Sequence, residues 1–227
     1  EGMPIGAFWG YKTDGLIQTQ EQLNAVKRAD FQPNAELGDV LFVDTNGDGK
    51  LDSSDRCMIG NPIPDIIYGI NMGMAWKGFD LNLQFGGTIG NQIFNAMRYY
   101  TYFPNDITNK DRALMNYWTP NNTNTDIPRL TATDVNDNDR FSDMYVENGT
   151  YFRLRNAQLG YTLPASLTQR IKLQKVRFYV SGQNLFTISS YSGMDPEVGQ
   201  SSSLSRGIDY GIYPQNISFT GGINVTF

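Results

Sequence analysis

Residues 215–227 restrict the fold of this chain more than any other stretch. From Asn216 onward, apolar and polar side chains alternate, with glycine as the only other residue type. One parity holds Ile217, Phe219, Gly221, Ile223, Val225 and Phe227, and the other holds Asn216, Ser218, Thr220, Gly222, Asn224 and Thr226. A period of two predicts a β-strand whose two faces meet different surroundings. Strands of soluble proteins usually have about 5–6 residues, whereas a tilted strand that crosses a bilayer needs roughly 9–11. The stretch therefore predicts either a strand of an outer-membrane β-barrel or a long amphipathic strand of a soluble sandwich.

The composition favours the barrel. Apolar residues make up 40% of the chain and charged residues only 18%. No run of about 18 apolar residues predicts a membrane-spanning helix, because apolar residues are interleaved with polar ones. The net charge of −5 and the lack of a long basic run disfavour nucleic-acid binding.

Catalytic chemistry has little support in the sequence. The chain has no histidine and a single cysteine, Cys57, so it lacks the commonest general base and forms no internal disulfide. No spacing of carboxylates indicates a catalytic pair, and Cys57 is interpreted as a packed or bystander residue. We predict that the chain is not an enzyme.

Four further stretches alternate in the same way. The predicted strands are residues 66–76, 79–88, 151–163, 175–188 and 215–227. Lys77 and Gly78 predict a two-residue hairpin turn. The alternation slips at Arg155 and Asn156, which predicts a β-bulge, and it breaks again at 184–185. The charged strand residues Asp80 and Arg177 share the polar parity, which favours lipid on the opposite face.

The connections between these strands alternate between short and long. All short turns fall on one side, predicted to be periplasmic together with Phe227. Segment 1–65 and the loops 89–150 and 189–214 are predicted to be extracellular. Short helices are expected at 18–29 with Thr19 as the N-cap, at 91–100, at 110–118 with Asn109 as the cap, and as one turn within 164–174.

Five strands cannot close a membrane barrel, because the smallest such barrels have eight. An open sheet would also leave two unpaired edges in lipid. The first residues carry no signal peptide, which an outer-membrane protein needs. We expect either that a leader was removed or, in better agreement with the strand count, that the chain is the C-terminal piece of a longer protein.

A candidate metal site lies at residues 44–55. Oxygen-bearing side chains at positions 1, 3, 5, 9 and 12, with Gly49 at position 6, match the spacing of an EF-hand-type calcium loop. The predicted ligands are Asp44, Asn46, Asp48, Asp52, Asp55 and the backbone carbonyl of Lys50. Ca²⁺ is the predicted ion and Mg²⁺ its main competitor.

The loop departs from the EF-hand at two points. Position 12 is Asp rather than Glu, and residues 40–43 predict a strand instead of a flanking helix. A structural clamp is therefore expected rather than a calcium-switched helix pair. The alternative is an Asp/Asn/Gly-rich turn that holds no ion.

The order of short motifs along the chain resembles the C-terminal part of SusC/RagA-type TonB-linked (TonB-dependent) outer-membrane transporters of Bacteroidetes. The motifs are GYKTDG at 10–15, GDV at 38–40 leading into 44–56, IGNPIP at 59–64, GIN at 69–71, WKGFDL at 76–81, YWTP at 117–120, PR at 128–129, YFRLRN at 151–156, LGYTLP at 159–164 and VSGQNLF at 180–186. No single motif is specific, but their succession covers nearly the whole chain.

The resemblance implies an all-β fold, a transmembrane antiparallel β-barrel of 22 strands with a plug, of which this chain supplies about the last five strands. It implies import of oligosaccharides or peptides together with a SusD-like surface lipoprotein, within outer-membrane lipid. Energy would come from TonB through an N-terminal part, which together with the remaining barrel and the plug is absent from these residues.

Candidate substrate contacts are aromatic side chains of the first long loop. They are Tyr99, Tyr100, Tyr102, Phe103, Tyr117 and Trp118, which are suited to stack on sugar rings or pack peptide side chains. The alternative is that they stabilise the loop itself. The alternative function is a soluble extracellular calcium-stabilised carbohydrate-binding β-module, whose outer strand faces should carry exposed charge.

Overall fold

In the computed structural model, residues 2–102, 109–199 and 203–227 are described. The chain divides into two compact units. The sheet unit comprises Pro64–Asn91, Asn148–Glu197 and Tyr213–Phe227, and the loop unit comprises Glu1–Ile63, Gln92–Glu147 and Val198–Ile212. This division differs from the predicted boundary after residue 65, since most of both long connections belongs to the loop unit.

Strands dominate the described residues. In chain order they are β1 (Phe8–Gly10), β2 (Thr13–Leu16), β3 (Val40–Phe42), β4 (Cys57–Gly60), β5 (Ile66–Trp76), β6 (Phe79–Ile89), β7 (Gln92–Asn95), β8 (Val146–Asn148), β9 (Tyr151–Thr162), β10 (Lys175–Ser189), β11 (Ile208–Asp209) and β12 (Ser218–Thr226). The α-helices are α1 (Gln20–Arg28), α2 (Ala96–Thr101) and α3 (Ala165–Thr168). Single 3₁₀ turns lie at Ser53–Asp55, Arg112–Asn116, Asp143–Tyr145, Gln169–Ile171 and Ser203–Ser205.

The sheet unit is one antiparallel sheet of five strands in the order β12-β10-β9-β6-β5. These are the five long strands expected from the alternation, with bounds that agree to within three residues. The register aligns side chains of like character across all strands, because paired residues point to the same face.

The apolar face consists of five rows that run across the sheet. Starting at the hairpin turn, they are Trp76, Phe79, Tyr161, Phe178 and Ile223; Met74, Leu81, Leu159, Val180 and Gly221; Met72, Leu83, Ala157, Gly182 and Phe219; Ile70, Phe85, Leu154 and Phe186; and Tyr68, Gly87, Phe152 and Ile188. Many of these side chains are exposed, including Met72 at 56% and Val180 at 60%. No element of the sheet unit covers them.

The polar face carries the alternate residues. Its first three rows are Ala75, Asp80, Gly160, Tyr179 and Gly222; Gly73, Asn82, Gln158, Ser181 and Thr220; and Asn71, Gln84, Asn156, Gln183 and Ser218. Amide, hydroxyl and charged groups therefore collect on one side of the sheet, and hydrocarbon collects on the other.

A bulge keeps the apolar rows continuous. On β6, Gln84 and Phe85 pair with Asn156 and Leu154, so Arg155 between them has no partner. On β10 the register shifts at the same level, where residues 184–185 stand opposite Arg155. The extra residue corrects the phase, because side chains before and after it would otherwise point to opposite faces. The bulge predicted from the sequence is confirmed.

The turn between β5 and β6 holds two residues with left-handed backbone. Lys77 has φ 47° and Gly78 has φ 89°, as the two central positions of a type I′ turn require. Lysine at positive φ is unfavourable, whereas asparagine tolerates it. The short turn predicted from the sequence is confirmed, and its first residue is strained.

Replacement of Lys77 by Asn is expected to stabilise the sheet by up to about 1 kcal/mol. The opposite sign is expected for Gly78→Ala, because a Cβ at Gly78 would lie 2.8 Å from the carbonyl oxygen of Thr162 and would also force alanine to positive φ. Urea unfolding midpoints of the full-length receptor measure both changes. Shifts in the same direction for the two variants would contradict this account of the turn.

The loop unit is built around small aromatic and aliphatic clusters. One contains Phe8, Ile59, Phe94, Ala96 and Tyr145. A second contains Tyr11, Leu16, Phe31, Val40, Phe42 and Trp118. Burial of these side chains, rather than long helices or strands, stabilises the unit, since most of its elements have only two to six residues.

Helix α1 confirms the helix expected at 18–29. The Thr19 hydroxyl accepts the backbone N–H of Gln22, and the Gln22 side chain accepts the backbone N–H of Thr19, which completes a capping box. The sequence pattern is sufficient here because both capping partners lie within one turn of the chain.

Two other helix predictions need correction. Residues 92–95 of the helix expected at 91–100 form β7, which pairs in parallel with β11, so only α2 is helical. The helix expected at 110–118 is a 3₁₀ turn, Arg112–Asn116, capped by the side chain of Asp111 rather than Asn109. Pairing with a distant strand explains why residues 92–95 are not helical. In the second segment, the Asp111 side chain competes for a backbone N–H group and favours the 3₁₀ turn.

The polar stretch at 119–139 is held by buried hydrogen bonds. Arg129 Nε donates to Asp39 Oδ1 at 2.6 Å, and Asn138 Nδ2 donates to the same oxygen at 3.1 Å. Asn138 Oδ1 accepts the backbone N–H of Val40 at 2.7 Å, which ties the segment to β3. Because these groups are buried, their hydrogen bonds replace those lost to water.

None of the helices in the described ranges has the length and apolar content needed to cross a membrane.

Candidate functional site

The acidic loop at 44–55 is organised by its own backbone. The Asp44 carboxylate accepts the N–H of Gly47 at 2.6 Å on one oxygen and the N–H of Gly49 at 2.8 Å on the other. Asn46 Oδ1 accepts the N–H of Asp48 at 2.8 Å, and Asp48 Oδ1 accepts the N–H of Lys50 at 2.9 Å. The predicted ligand residues at positions 1, 3 and 5 are therefore held within one tight turn.

Asp55 at position 12 is fully buried and joins the two ends of the loop. Its Oδ1 accepts the N–H of Thr45 at 3.0 Å, and its Oδ2 accepts the N–H of Asp52 at 2.9 Å. Asp52 in turn accepts the N–H of Ser54 at 2.7 Å. Because a carboxylate oxygen has two lone pairs, each of these oxygens retains acceptor capacity.

The electrostatics of the loop favour ionised carboxylates. The backbone N–H of Gly49 is the largest influence on Asp44 and lowers the pKa of that carboxyl, with smaller contributions from Gly47 and Asp48. The backbone N–H of Ser54 lowers the pKa of Asp52. The charged form that a cation requires is thus the form that the loop stabilises.

Across residues 2–102, 109–199 and 203–227, no three His, Cys, Asp or Glu side chains converge in a group able to hold a metal ion. In the loop the carboxylates point to backbone N–H groups, and Asn46 Nδ2 donates to Asp48 Oδ2 at 3.2 Å. The donor chemistry fits a hard cation, since the side chains contribute only oxygen ligands, but ligation requires these side chains to turn inward.

The aromatic candidates differ in exposure. Tyr100 is 55% exposed and packs edge-on against Tyr99, with ring centroids 5.1 Å apart. Tyr99 is half-buried between that ring and Tyr145, and burial raises the pKa of its phenol. Tyr102 lies under the Arg98 guanidinium at 4.9 Å and is also half-buried. Phe103 lies outside the described residues.

Trp118 is packed in the core of the loop unit, in agreement with the alternative that these aromatic residues stabilise the loop. It is only 6% exposed within the second aromatic cluster, and its indole N–H donates to Gln18 Oε1 at 2.9 Å. The neighbouring Tyr117 is half-buried. Sequence reasoning could not separate Trp118 from exposed aromatic residues, because the segments that bury it are distant in the chain. Among the five candidates in the described residues, Tyr100 is the one with an open ring.

The polar face of the sheet unit carries a charged pair across three strands. Arg177 Nε donates to Asp80 Oδ1 at 2.9 Å, and Arg177 Nη2 donates to Asp80 Oδ2 at 2.5 Å. The guanidinium lies over Gly160 between them, in space that a Cβ would occupy. A planar guanidinium and a carboxylate can meet in this bidentate way only if the intervening residue has no side chain.

A second cluster ties the loop after β10 to the polar face. Arg153 Nη2 donates to Asp195 Oδ1 at 2.5 Å, and its Nη1 donates to Glu197 Oε2 at 2.9 Å. The side chains of Arg153 and Asp195 are 3% and 6% exposed. Asp195 Oδ2 accepts the backbone N–H of Gln215 at 3.0 Å, just before β12. The sequence placed Arg153 on a strand but offered no signal for a partner 42 residues away.

The two faces define the class of protein. Long antiparallel strands with bare hydrocarbon on one side and hydrogen-bonded polar groups on the other suit a wall between lipid and water. The sheet unit is a segment of a membrane β-barrel.

Comparisons with known proteins agree. TonB-dependent receptor P3 of Formosa agariphila is 39% identical over 237 residues, an alignment that covers 100% of this chain and 22% of the relative. TonB-dependent receptor SusC of Bacteroides thetaiotaomicron is 29% identical over 87% of this chain and 18% of its own length. A structure of the RagAB peptide transporter matches 97% of this chain and 22% of the solved chain, with a TM-score of 0.73 and 25% identity. No family model matches the chain.

The chain is similar over most or all of its length to TonB-dependent receptors, SusC among them, and to the RagAB peptide transporter, and it spans less than a quarter of the length of each of these relatives. These relatives are receptors and transporters rather than enzymes, which confirms the prediction that the chain is not an enzyme.

Proposed function

We propose that this chain forms the last five strands of the wall of a TonB-dependent transporter that imports oligosaccharides or peptides. The rest of the barrel, its plug and the TonB-contacting segment belong to the same protein. A SusD-like surface lipoprotein is the proposed partner, and the short turns and Phe227 face the periplasm. The long connections are proposed to be extracellular.

The five apolar rows carry this proposal. A soluble protein rarely leaves a contiguous apolar patch of this extent in water, whereas lipid covers such a surface without cost. The alternative, a soluble carbohydrate-binding module, requires charge on this face, and the charged side chains of the strands lie on the opposite one. The polar face is suited to line a hydrated lumen.

The nature of the substrate follows from the relatives only as a proposal. The solved relative RagAB is a peptide transporter, or peptide importer. The exposed ring of Tyr100 offers a stacking surface for a sugar ring or a peptide side chain. Both substrate classes therefore remain within the proposal.

The proposal is tested on the native receptor extracted in detergent. We expect this chain to migrate as part of the intact folded barrel on an unboiled gel, and the mobility of the band to change only after boiling. The purified receptor is then incubated with a peptide mixture and, separately, with an oligosaccharide mixture, and bound species are identified by native mass spectrometry. A receptor that stays folded and monodisperse in plain buffer would contradict the membrane assignment.

We also propose that the acidic loop binds Ca²⁺ as a structural clamp, with Mg²⁺ as the main competitor. Its support is the ligand spacing, the all-oxygen side-chain donor set and the lowered pKa of Asp44 and Asp52. Asp44, Asn46, Asp48, Asp52 and Asp55 would hold the ion, together with the backbone carbonyl of Lys50. The bound cation would neutralise carboxylates and join the two ends of the loop.

Calcium is expected to stabilise the folded receptor by about 2.7 kcal/mol at a free concentration about 100 times Kd. Thermal unfolding with EGTA and with added Ca²⁺ measures this difference. Asp44→Ala should abolish it, and Asp14→Asn, at an exposed carboxylate outside the loop, is the matched control. An unfolding temperature that is independent of calcium in the unsubstituted receptor would refute the site.

A further inference from the structure

The apolar face is not level. Two adjoining depressions, of about 380 and 480 Å³, lie along β9, β10 and β12 and share Leu159, Val180 and Gly221 as lining residues. The floor is low because Gly221, Gly182 and Ala157 are small, and Phe219, Phe178 and Ile223 form raised borders. Together the depressions form one apolar groove.

The groove runs along the strands from the first apolar row to the third. Phe178 and Gly182 mark its two ends on β10, four residues apart. At about 3.4 Å per residue this is roughly 14 Å. Strands of such barrels tilt by about 35–45°, so the groove spans about 10–11 Å along the bilayer normal, which is most of one leaflet of a hydrocarbon core about 30 Å thick.

The end of the groove at the short turns is basic. Lys77 in the first turn and Arg170 and Lys172 in the second connection are all exposed. Residues 163–175 contain no Asp or Glu, although the whole chain has 23 acidic and 18 basic residues. The nearest strand carboxylate, Asp80, is paired with Arg177 on the polar face. Exposed Leu167 in the same connection adds an apolar side chain at this level.

We propose that this groove is a binding site for one anionic phospholipid of the surrounding membrane. An acyl chain lies over Gly221 between Phe219 and Phe178, and the phosphate group meets Lys77 and Lys172. The inference rests on the proposed function, in which the apolar face meets lipid, and extends it from general solvation to a defined site.

The length, the shape and the basic end of the groove together favour an anionic phospholipid over other occupants. A protein partner would match the depression without requiring a basic border at one end. A neutral lipid would fill the groove but leave the cluster of cations without a counter-charge. Each basic residue near an anionic lipid surface contributes about fivefold in affinity.

The test uses the full-length receptor in bilayer nanodiscs that contain phosphatidylglycerol and phosphatidylcholine, followed by gentle detergent transfer and native mass spectrometry. We expect one retained phosphatidylglycerol per receptor. The double variant Lys77→Gln, Lys172→Gln should reduce its retention by about 25-fold. Gly221→Leu should displace it from the groove, since a Cβ there meets no atom closer than 3.9 Å and the larger side chain fills free space.

Met72→Phe is the matched control, because it adds volume to the apolar face away from the groove. Equal retention of phosphatidylglycerol by all four proteins, or equal retention of phosphatidylcholine and phosphatidylglycerol by the unsubstituted receptor, would overturn the site. Retention of a second protein in place of lipid would overturn it as well. Failure of the unsubstituted receptor to enter nanodiscs at all would instead refute the proposed function.

Discussion

Replacement of Met72 by Arg is expected to destabilise the membrane-embedded receptor by about 2–4 kcal/mol. Met72 lies in the middle one of the five apolar rows and is 56% exposed on the face proposed to meet lipid. An arginine there must either place its charge near the bilayer centre or distort the surrounding lipid. Unfolding of the receptor from lipid vesicles by guanidinium measures the change.

Asn71→Arg is the matched control for this prediction. Asn71 precedes Met72 on the same strand and pairs with Gln84 on the polar face, where a long cation remains hydrated. Its expected effect is within about 0.5 kcal/mol. Similar losses of stability for the two variants would contradict the assignment of lipid to one face and water to the other.

The second large effect is expected at the buried ion pair of the polar face. Arg153→Met should destabilise the anchored loop by about 3–5 kcal/mol, because it leaves the buried carboxylate of Asp195 without its counter-charge. The loss is expected to appear first as protease cleavage between β10 and β12. Limited proteolysis of the native receptor, timed by mass spectrometry, follows this local opening.

Two companion variants separate charge from packing. The double variant Arg153→Met, Asp195→Asn removes both charges, keeps an acceptor for the N–H groups of Gln215 and Glu197, and should restore much of the protection. Arg155→Met removes a neighbouring cation whose side chain is 44% exposed, and should cost less than about 1 kcal/mol. Equal cleavage of all three variants would exclude the buried pair as the anchor.

The same carboxylate predicts a pH dependence. Burial acts to raise the pKa of Asp195, but the N–H groups of Gln215 and Glu197 and the charge of Arg153 outweigh it and hold the pKa below its usual value. A lowered folded-state pKa stabilises the loop above the unfolded value of about 3.9. Protection from cleavage should therefore be constant at neutral pH and decline as the pH falls below about 4.

The strands were predictable because their information is local. In each of the five long strands, apolar and polar side chains alternate, so the sequence alone shows that the two faces meet different environments. A register slip of one residue would move every side chain of a strand to the opposite face. The bulge at Arg155 was predictable for the same reason, because it changes which alternate residues of the strand are apolar. Residues 20–28 were predictable for a related reason, since Thr19 and Gln22 cap that helix within one turn.

The errors fall where the partner is distant. Residues 92–95 are too few to show an alternation of apolar and polar side chains, and they form a strand because β11, more than a hundred residues later, lies parallel to them. The sequence around Trp118 predicts an exposed aromatic residue in a loop. In the structure, Trp118 is buried in a cluster with Tyr11, Leu16 and Phe42. Burial depends on which segments meet, and that is not encoded by neighbouring residues.

The sequence by itself determined the two faces of the sheet, its strand bounds and its short turns, because side-chain parity and turn chemistry act over a few residues. Only the tertiary structure decided which charges pair across the polar face, which aromatic rings are buried, and that small residues of three different strands meet in one groove. These features depend on register between strands far apart in the chain. They arise from the packing and pairing of whole segments, which no local pattern specifies.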